Sequence, residues 1–576
     1  MSVKQQVILP VKPERRFLPK DLVVSSWENI KPFFGKLLDR KITSVSELEA
    51  WLFDLSELES VFSEAMAWRY IHMTCDTTNT EYVNAYNYFV TEIEPKAAPY
   101  FNDFHKKLIS SPFLAELDTE KYRTYLRYVK QSLEIYRDEN IPLFTEIDGF
   151  RQEYTRIVSE MTVTLNDSEI TLQQAANILK DTDRNVREQT YHKIVDRRLK
   201  DCDTLEGLFD SLRALRHRVA LNAGFKNYRD YMFASLGRFD YTPDDCFRFH
   251  DAVASEIVPV LNQFDEDRKK ALKLDALRAW DMEVDVSGLP ALSPFENAKE
   301  LVEKTILCFR QIKPAFGDYI EIMNRMGHFD LDSRKGKAPG GYNYPMYEIG
   351  VPFIFMNSVG SSRDLVTMVH EGGHAIHSFL TRDLPLTENK SVPSEVAELA
   401  SMSMELISME HWEVFFKNPD DLKRAKKEQM EKALRSLSWI SLIDKFQHWV
   451  YEHPEHTREE RKATWKQFSA QFSSAAIDWT GLEHDKDYDW HRQLHVFELP
   501  FYYIEYGFAQ LGALAMWRNY KQDPEKAIKN YEHALGLGYT KSIGELYDAA
   551  GIRFDFSQAY VKELVTFVKS QIALLD

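Results

Sequence analysis

Between Pro19 and Tyr319, apolar side chains recur three and four positions apart, with acids and bases between them. That is the spacing of amphipathic helices packed on a common core. Leu48 to Met66 and Phe144 to Leu165 are clear examples, and the whole stretch reads as one helix after another. The pattern breaks from Gly327 to Tyr347 (GHFDLDSRKGKAPGGYNYPMY), where glycines, prolines and mixed charges predict a loop. Glu348 to Asn357 (EIGVPFIFMN) is β-branched and aromatic and predicts a strand, with Pro352 favouring an edge or end position over the sheet centre. Helical spacing resumes at Ser362 and runs nearly to Asp576. Residues 523–538 look like half of a tetratricopeptide repeat, but no second copy follows at a period of about 34 residues, so an ordinary helix and turn is expected there.

Composition narrows the class. The chain has 576 residues, 44% of them hydrophobic and 13% aromatic, enough for a large core and about two to four structural units. Gly and Pro number 22 each, few for an all-β chain of this length. No window approaches the ~18 apolar residues of a membrane helix, so no membrane partner is expected. Lys plus Arg number 72 against 89 Asp plus Glu, a formal charge of −17. That balance argues against a nucleic-acid partner, whose phosphates call for a basic surface. Cys75, Cys202, Cys246 and Cys308 are widely spaced with no CxxC pair, which excludes a zinc ribbon or a disulfide framework. The N-terminal stretch MSVKQQVILPVKPERRFLP lacks the apolar region of a secretory signal, and a reducing cytoplasm is the expected compartment.

The chemistry concentrates in three places. His370-Glu371-Gly372-Gly373-His374 is an HExxH pattern. On a helix, residues four apart share a face, so both imidazoles can reach one zinc ion, while Glu371 can address a water without ligating. Ser361, Ser362 and Asp364 supply capping and dipole-compensating groups for that helix. Its two glycines cost helix stability, which makes sense where another backbone or a substrate must come close. His377 lies seven residues beyond His370, a rise of about 10.5 Å, too far for one ion to hold both. A second helix offers Glu395, Glu398 and Glu405 near one face, and spacing alone leaves Glu395 and Glu398 both open as the third ligand. The third place is His495 to Tyr506 (HVFELPFYYIEY), where Tyr502, Tyr503, Tyr506 and His495 offer donors suited to an oxyanion. His491 and His495 are also four apart, but have no clear carboxylate or cysteine partner and are not read as a metal pair.

Together these segments resemble the thimet oligopeptidase and oligoendopeptidase F family of zinc metallopeptidases, over roughly Ala220 to Phe554. His370 to His377 resembles the family's HExGHxxH helix. Glu398 to Glu405 resembles its segment in which a zinc-binding Glu precedes a second Glu by seven residues, and this alignment prefers Glu398 as third ligand. Arg334 to Tyr342, including Gly340, Gly341 and Tyr342, and Pro352 to Asn357, including Phe353, resemble the loop and edge strand along which relatives hold the substrate backbone. His495 and the tyrosines resemble the family's substrate-contacting segment. Asn343 stands where oligoendopeptidase F relatives usually have Cys, and the His495-to-tyrosine spacing differs slightly, leaving Tyr502 and Tyr503 as alternatives for the substrate contact. The pattern is closer to compact bacterial members of the oligoendopeptidase F and collagen-peptide-cleaving type.

The resemblance implies a mostly α fold, two helical halves forming a clam-like channel around a zinc site, with a small β element at the substrate edge. An N-terminal helical domain over 1–205 and a catalytic domain over 206–576, with interleaved halves, are expected. One Zn²⁺ per chain, held by His370, His374 and Glu398, is expected to serve endopeptidase hydrolysis of short unstructured peptides. Glu371 is the expected general base, and Tyr506 and His495, with Tyr502 or Tyr503, the oxyanion donors. Two rivals stand beside this reading. One is a zinc carboxypeptidase or dipeptidyl carboxypeptidase; the other is a non-catalytic helical peptide-binding protein.

Overall fold

The computed structural model describes residues 7–575; the first six residues of the stretch read for a leader lie outside them. The described chain is mostly helical, with five short strands: β1 (Thr162–Leu165), β2 (Ser168–Thr171), β3 (Phe329–Asp332), β4 (Tyr342–Tyr344) and β5 (Phe353–Ser358). It gathers into two compact units, each assembled from separated stretches. The first comprises 7–134, Ser293–Lys426 and Gly512–Phe554; the second comprises Ile135–Leu292, Lys427–Leu511 and 555–575.

In the first unit, helices Trp27–Asp39, Val45–Cys75 and Glu94–Ile109 bury Phe34, Trp51, Leu55 and Phe104 in one apolar core. Ser26 and Ser44 cap the first two, each accepting from a backbone N–H three residues on. The sheet of this unit has the order β3-β5-β4, with β3 parallel and β4 antiparallel to β5. This corrects two expectations. The segment read as a loop contains β3 and β4, which are too short to show a period amid glycine and proline. The strand read from Glu348 to Asn357 is present as β5, but at the sheet's centre, flanked by β3 and β4 at the edges. Pro352 takes the end position, one residue before β5 begins, so its missing N–H falls outside the ladder.

In the second unit, the run read as helix from Phe144 to Leu165 divides. The helix Ile141–Ser159 ends, and β1 and β2 form an antiparallel hairpin. Asn166 and Asp167 make its two-residue turn with φ of 49° and 61°, the doubly positive geometry that matches strand twist. Val163 on β1 packs with Ala175 and Ile194, which covers one face of the hairpin. Helices Cys202–Asn222, Pro243–Glu256 and Arg458–Phe472, with the later turns of Pro419–Glu452, make the body of this unit. Among the described residues, no helix is long and apolar enough to cross a membrane.

Candidate active site

His370 and His374 project from the helix Ser362–Thr381. Ser361 caps it through a reciprocal box with Asp364, and Leu365, Val366, Met368, Val369, Ile376 and Phe379 bury its other sides. Opposite them runs the helix Ser394–Ser408 with Glu398. Glu398 Oε2 lies 3.3 Å from His370 Nε2 and 3.6 Å from His374 Nε2. One ligand atom from each of the three residues falls within 4.8 Å of the others. Two imidazoles and a carboxylate around one point are a donor set suited to zinc, with a coordination position left for substrate chemistry.

The closeness of the two helices depends on Gly373. A Cβ there would stand 2.6 Å from Ser401 Cα and 2.7 Å from Ala400 O, so any side chain would force the helices apart. Gly372 faces Phe309, whose ring would lie 2.7 Å from an added Cβ. The C-terminal segment of the same unit holds the Glu398 helix from behind. Tyr531 Oη donates to Ala400 O at 2.8 Å, and Tyr547 Oη donates to Glu395 O at 3.1 Å.

A further layer of hydrogen bonds orients the donors. Glu405 Oε1 is 2.7 Å from His370 Nδ1, which directs Nε2 toward Glu398, and Ser401 Oγ donates to Glu398 Oε2 at 2.8 Å. Burial pushes the His370 imidazole down, but hydrogen bonds to Glu398 and Glu405 outweigh it and hold it well above the usual range. Burial pushes His374 down to about 4. Burial would raise Glu398, yet His374, His370 and Ser401 together pull it down to about 2, so it is present as a carboxylate. Glu371 is only 6% exposed. Burial pushes its carboxyl up to about 7, against the pull of His370 and with help from Glu398 and Glu405. A carboxyl poised near neutrality can both take and return a proton.

The sheet reaches this helix through β4. Asn343 Nδ2 donates to the Glu371 carbonyl oxygen at 3.2 Å. Gly340 adopts φ of 97°, and a Cβ on Gly341 would meet Phe355 O at 3.3 Å, so this turn carries its backbone tightly past β5. Tyr342 stacks on Phe355 with ring centroids 4.8 Å apart, and its hydroxyl lies 2.6 Å from Thr74 Oγ1. Phe353 is buried, its ring edge-on to Trp68.

The second unit holds His495, Tyr502, Tyr503 and Tyr506 as one aromatic cluster. The three tyrosine rings lie 5.8, 4.8 and 5.8 Å from the imidazole, in that order. Gln493 Nε2 sits 2.7 Å from His495 Nδ1. The cluster turns on Phe501, a non-glycine residue with φ of 66°. Gln447 accepts its N–H at 2.9 Å, and the Arg238 guanidinium binds its carbonyl oxygen while pairing with Glu505 at 2.9 Å.

His370, Glu371, His374 and Glu398 are therefore brought together, with Asn343 at their side. Glu395 and His377 are buried but stand outside the three-donor cluster. His491 pairs with Glu206 at 2.9 Å. The contacts of Asn343, Ser401, Arg238 and Gln447 escaped sequence reading because each partner is distant in the chain or carries no motif. Only Ser401, three residues after Glu398, had a local signal.

The model of peptidase family M3 matches residues 177–566, and that of the peptidase M3 N-terminal domain matches residues 19–136. The chain is 23% identical over 498 residues to the oligoendopeptidase F homolog of Borreliella burgdorferi, covering 82% of this chain and 79% of the relative. It is 25% identical over 252 residues to oligopeptidase PepF of Bacillus subtilis, covering 43% and 36% of the two chains. Among solved structures, PZ peptidase A with an inhibitor superposes with a TM-score of 0.90 at 26% identity, covering 95% of this chain and 97% of the other.

Proposed function

The chain belongs to peptidase family M3, and from that premise we propose that it hydrolyses internal bonds of short unstructured peptides, with one zinc ion held by His370, His374 and Glu398. The observation that carries this reading is the buried Glu371, one residue from His370 on the helix whose two imidazoles converge on Glu398. Zinc bound there supplies Lewis acidity, polarising the scissile carbonyl and making water a competent nucleophile near neutral pH. Glu371 takes the proton of the attacking water and returns it to the leaving amine. Glu405 holds His370 in the tautomer that presents Nε2, and Ser401 fixes one carboxylate oxygen of Glu398. Tyr506 and His495, with Tyr502 or Tyr503, donate to the developing oxyanion. The peptide backbone adds to the sheet at its β4 edge, along Gly340, Gly341 and Tyr342, with Phe353 on the neighbouring central strand. No disulfide joins the four cysteines, which fits a reducing compartment, and we assign the enzyme to the cytoplasm.

The test is mass-spectrometric mapping of cuts in a mixture of unstructured peptides, with the Glu371→Gln variant run in parallel. Internal cuts that vanish in the variant are expected. Cuts confined to C-terminal positions would replace the endopeptidase with a carboxypeptidase or dipeptidyl carboxypeptidase. No cuts from zinc-loaded protein would leave a peptide-binding role.

A further inference from the structure

We propose that the second unit holds a metal site of its own, built from Cys246, Asp444 and His448, with His250 orienting the carboxylate. Two helices each present a pair four residues apart on one face. Cys246 and His250 come from Pro243–Glu256, and Asp444 and His448 from Pro419–Glu452. One ligand atom each from Cys246, Asp444 and His448 lies within 4.8 Å of the other two. Metal sites inside helical bundles are built from side chains that project inward from facing helices.

The surroundings make these groups hard to explain without a cation. Cys246, His250 and Asp444 are 0% exposed and His448 is 1% exposed. Aromatic rings wall the cluster, with Phe247 and Phe501 centred 4.8 and 5.3 Å from the His448 ring. His250 Nε2 donates to Asp444 Oδ2 at 2.8 Å, while Asp444 Oδ1 has no hydrogen-bond partner. His448 Nε2 faces the same Oδ2 at 3.2 Å, while its Nδ1 is unpartnered. Buried polar atoms are ordinarily satisfied, so the unpartnered Asp444 Oδ1 and His448 Nδ1, in a dry spot where a Cys246, an Asp444 and a His448 ligand atom lie within 4.8 Å of one another, point to a missing partner.

A divalent ion supplies those bonds and balances the charge. A Cys246 thiolate and an Asp444 carboxylate carry two negative charges, and the histidines coordinate and donate as neutral rings. Thiolate, imidazole and carboxylate together favour zinc-class transition metals over calcium or magnesium. The His250 bond to Oδ2 leaves Oδ1 to the metal, the arrangement in which an outer partner fixes a ligating group. Such an ion would pin together two helices whose ligands lie almost two hundred residues apart, giving the second unit an internal staple.

The His370→Ala/His374→Ala variant removes the first-unit donors without touching this core. Prepared with zinc as the full chain, it should retain about one equivalent per chain by elemental analysis, where wild type retains two. Loaded with Co²⁺, it should show a near-ultraviolet sulfur-to-cobalt charge-transfer band that is lost on adding Cys246→Ser. The first-unit donors contain no sulfur, so the band reads the second site even if the Cys246→Ser protein does not fold. A folded His370→Ala/His374→Ala protein that holds no metal and shows no such band would overturn the proposal, leaving a proton-sharing His–Asp–His cluster.

Discussion

The two units solve one problem in opposite ways. Each sets a pair of residues four apart on one helix against donors on a second helix. In the first unit, the His370 and His374 side chains keep 20% exposure, and hydrogen bonds from Glu405 and Ser401 dictate which atoms face inward. In the second, Cys246, Asp444 and His448 are shut in among aromatic rings, and several polar atoms have no partner. Access is the difference that decides function. A site that works on substrate must stay open and well supported; a site that only ties helices can close completely.

Breaking the open site should have the largest effect. A His374→Ala chain is expected to lose peptidase activity altogether, with normal circular dichroism, because two donors hold a catalytic metal poorly. Retention of activity would mean that the chemistry lies elsewhere. Next comes Tyr506→Phe, which should lower kcat by about 10²–10³-fold if its hydroxyl stabilises the oxyanion, as steady-state kinetics would register. An unchanged kcat would make Tyr506 a packing residue.

The supporting groups sharpen the contrast further. Glu405→Ala removes the partner of His370 Nδ1 and is expected to weaken zinc affinity by about 10–100-fold in a competition titration against a chelator. The same substitution should leave metal at Cys246, Asp444 and His448 unchanged. The smallest functional reach belongs to Gly373→Ala. Its Cβ meets Ser401 Cα and Ala400 O, so denaturant unfolding should show a loss of about 1–3 kcal/mol. A neutral result would show that the two helices can separate freely.

What could be read along the chain was local. The HExxH spacing, the Ser361 cap and the helical periods need only neighbours within a few turns. Spacing left Glu395 and Glu398 both open; only the packing of two helices at Gly373 brings Glu398 between the imidazoles. The hairpin at Thr162–Thr171 carried its own signal, alternating β-branched residues around Asn166-Asp167, but the apolar run before it imposed a helical reading. Strands β3 and β4 are four and three residues long, so no period could reveal them, and β5 lies at the centre because they flank it. Arg238 and Gln447 support Phe501 across gaps of 263 and 54 residues, and His250 meets Asp444 across 194. No motif spans such distances.

The central claim is that Glu371 moves the proton while His370, His374 and Glu398 hold the metal. Zinc content and kcat/KM for one fluorogenic peptide, measured on the same preparations of wild type and Glu371→Gln, test it most directly. Equal zinc content with a rate lower by about 10²–10⁴-fold is the predicted result. A zinc-loaded Glu371→Gln enzyme working at the full rate would contradict it.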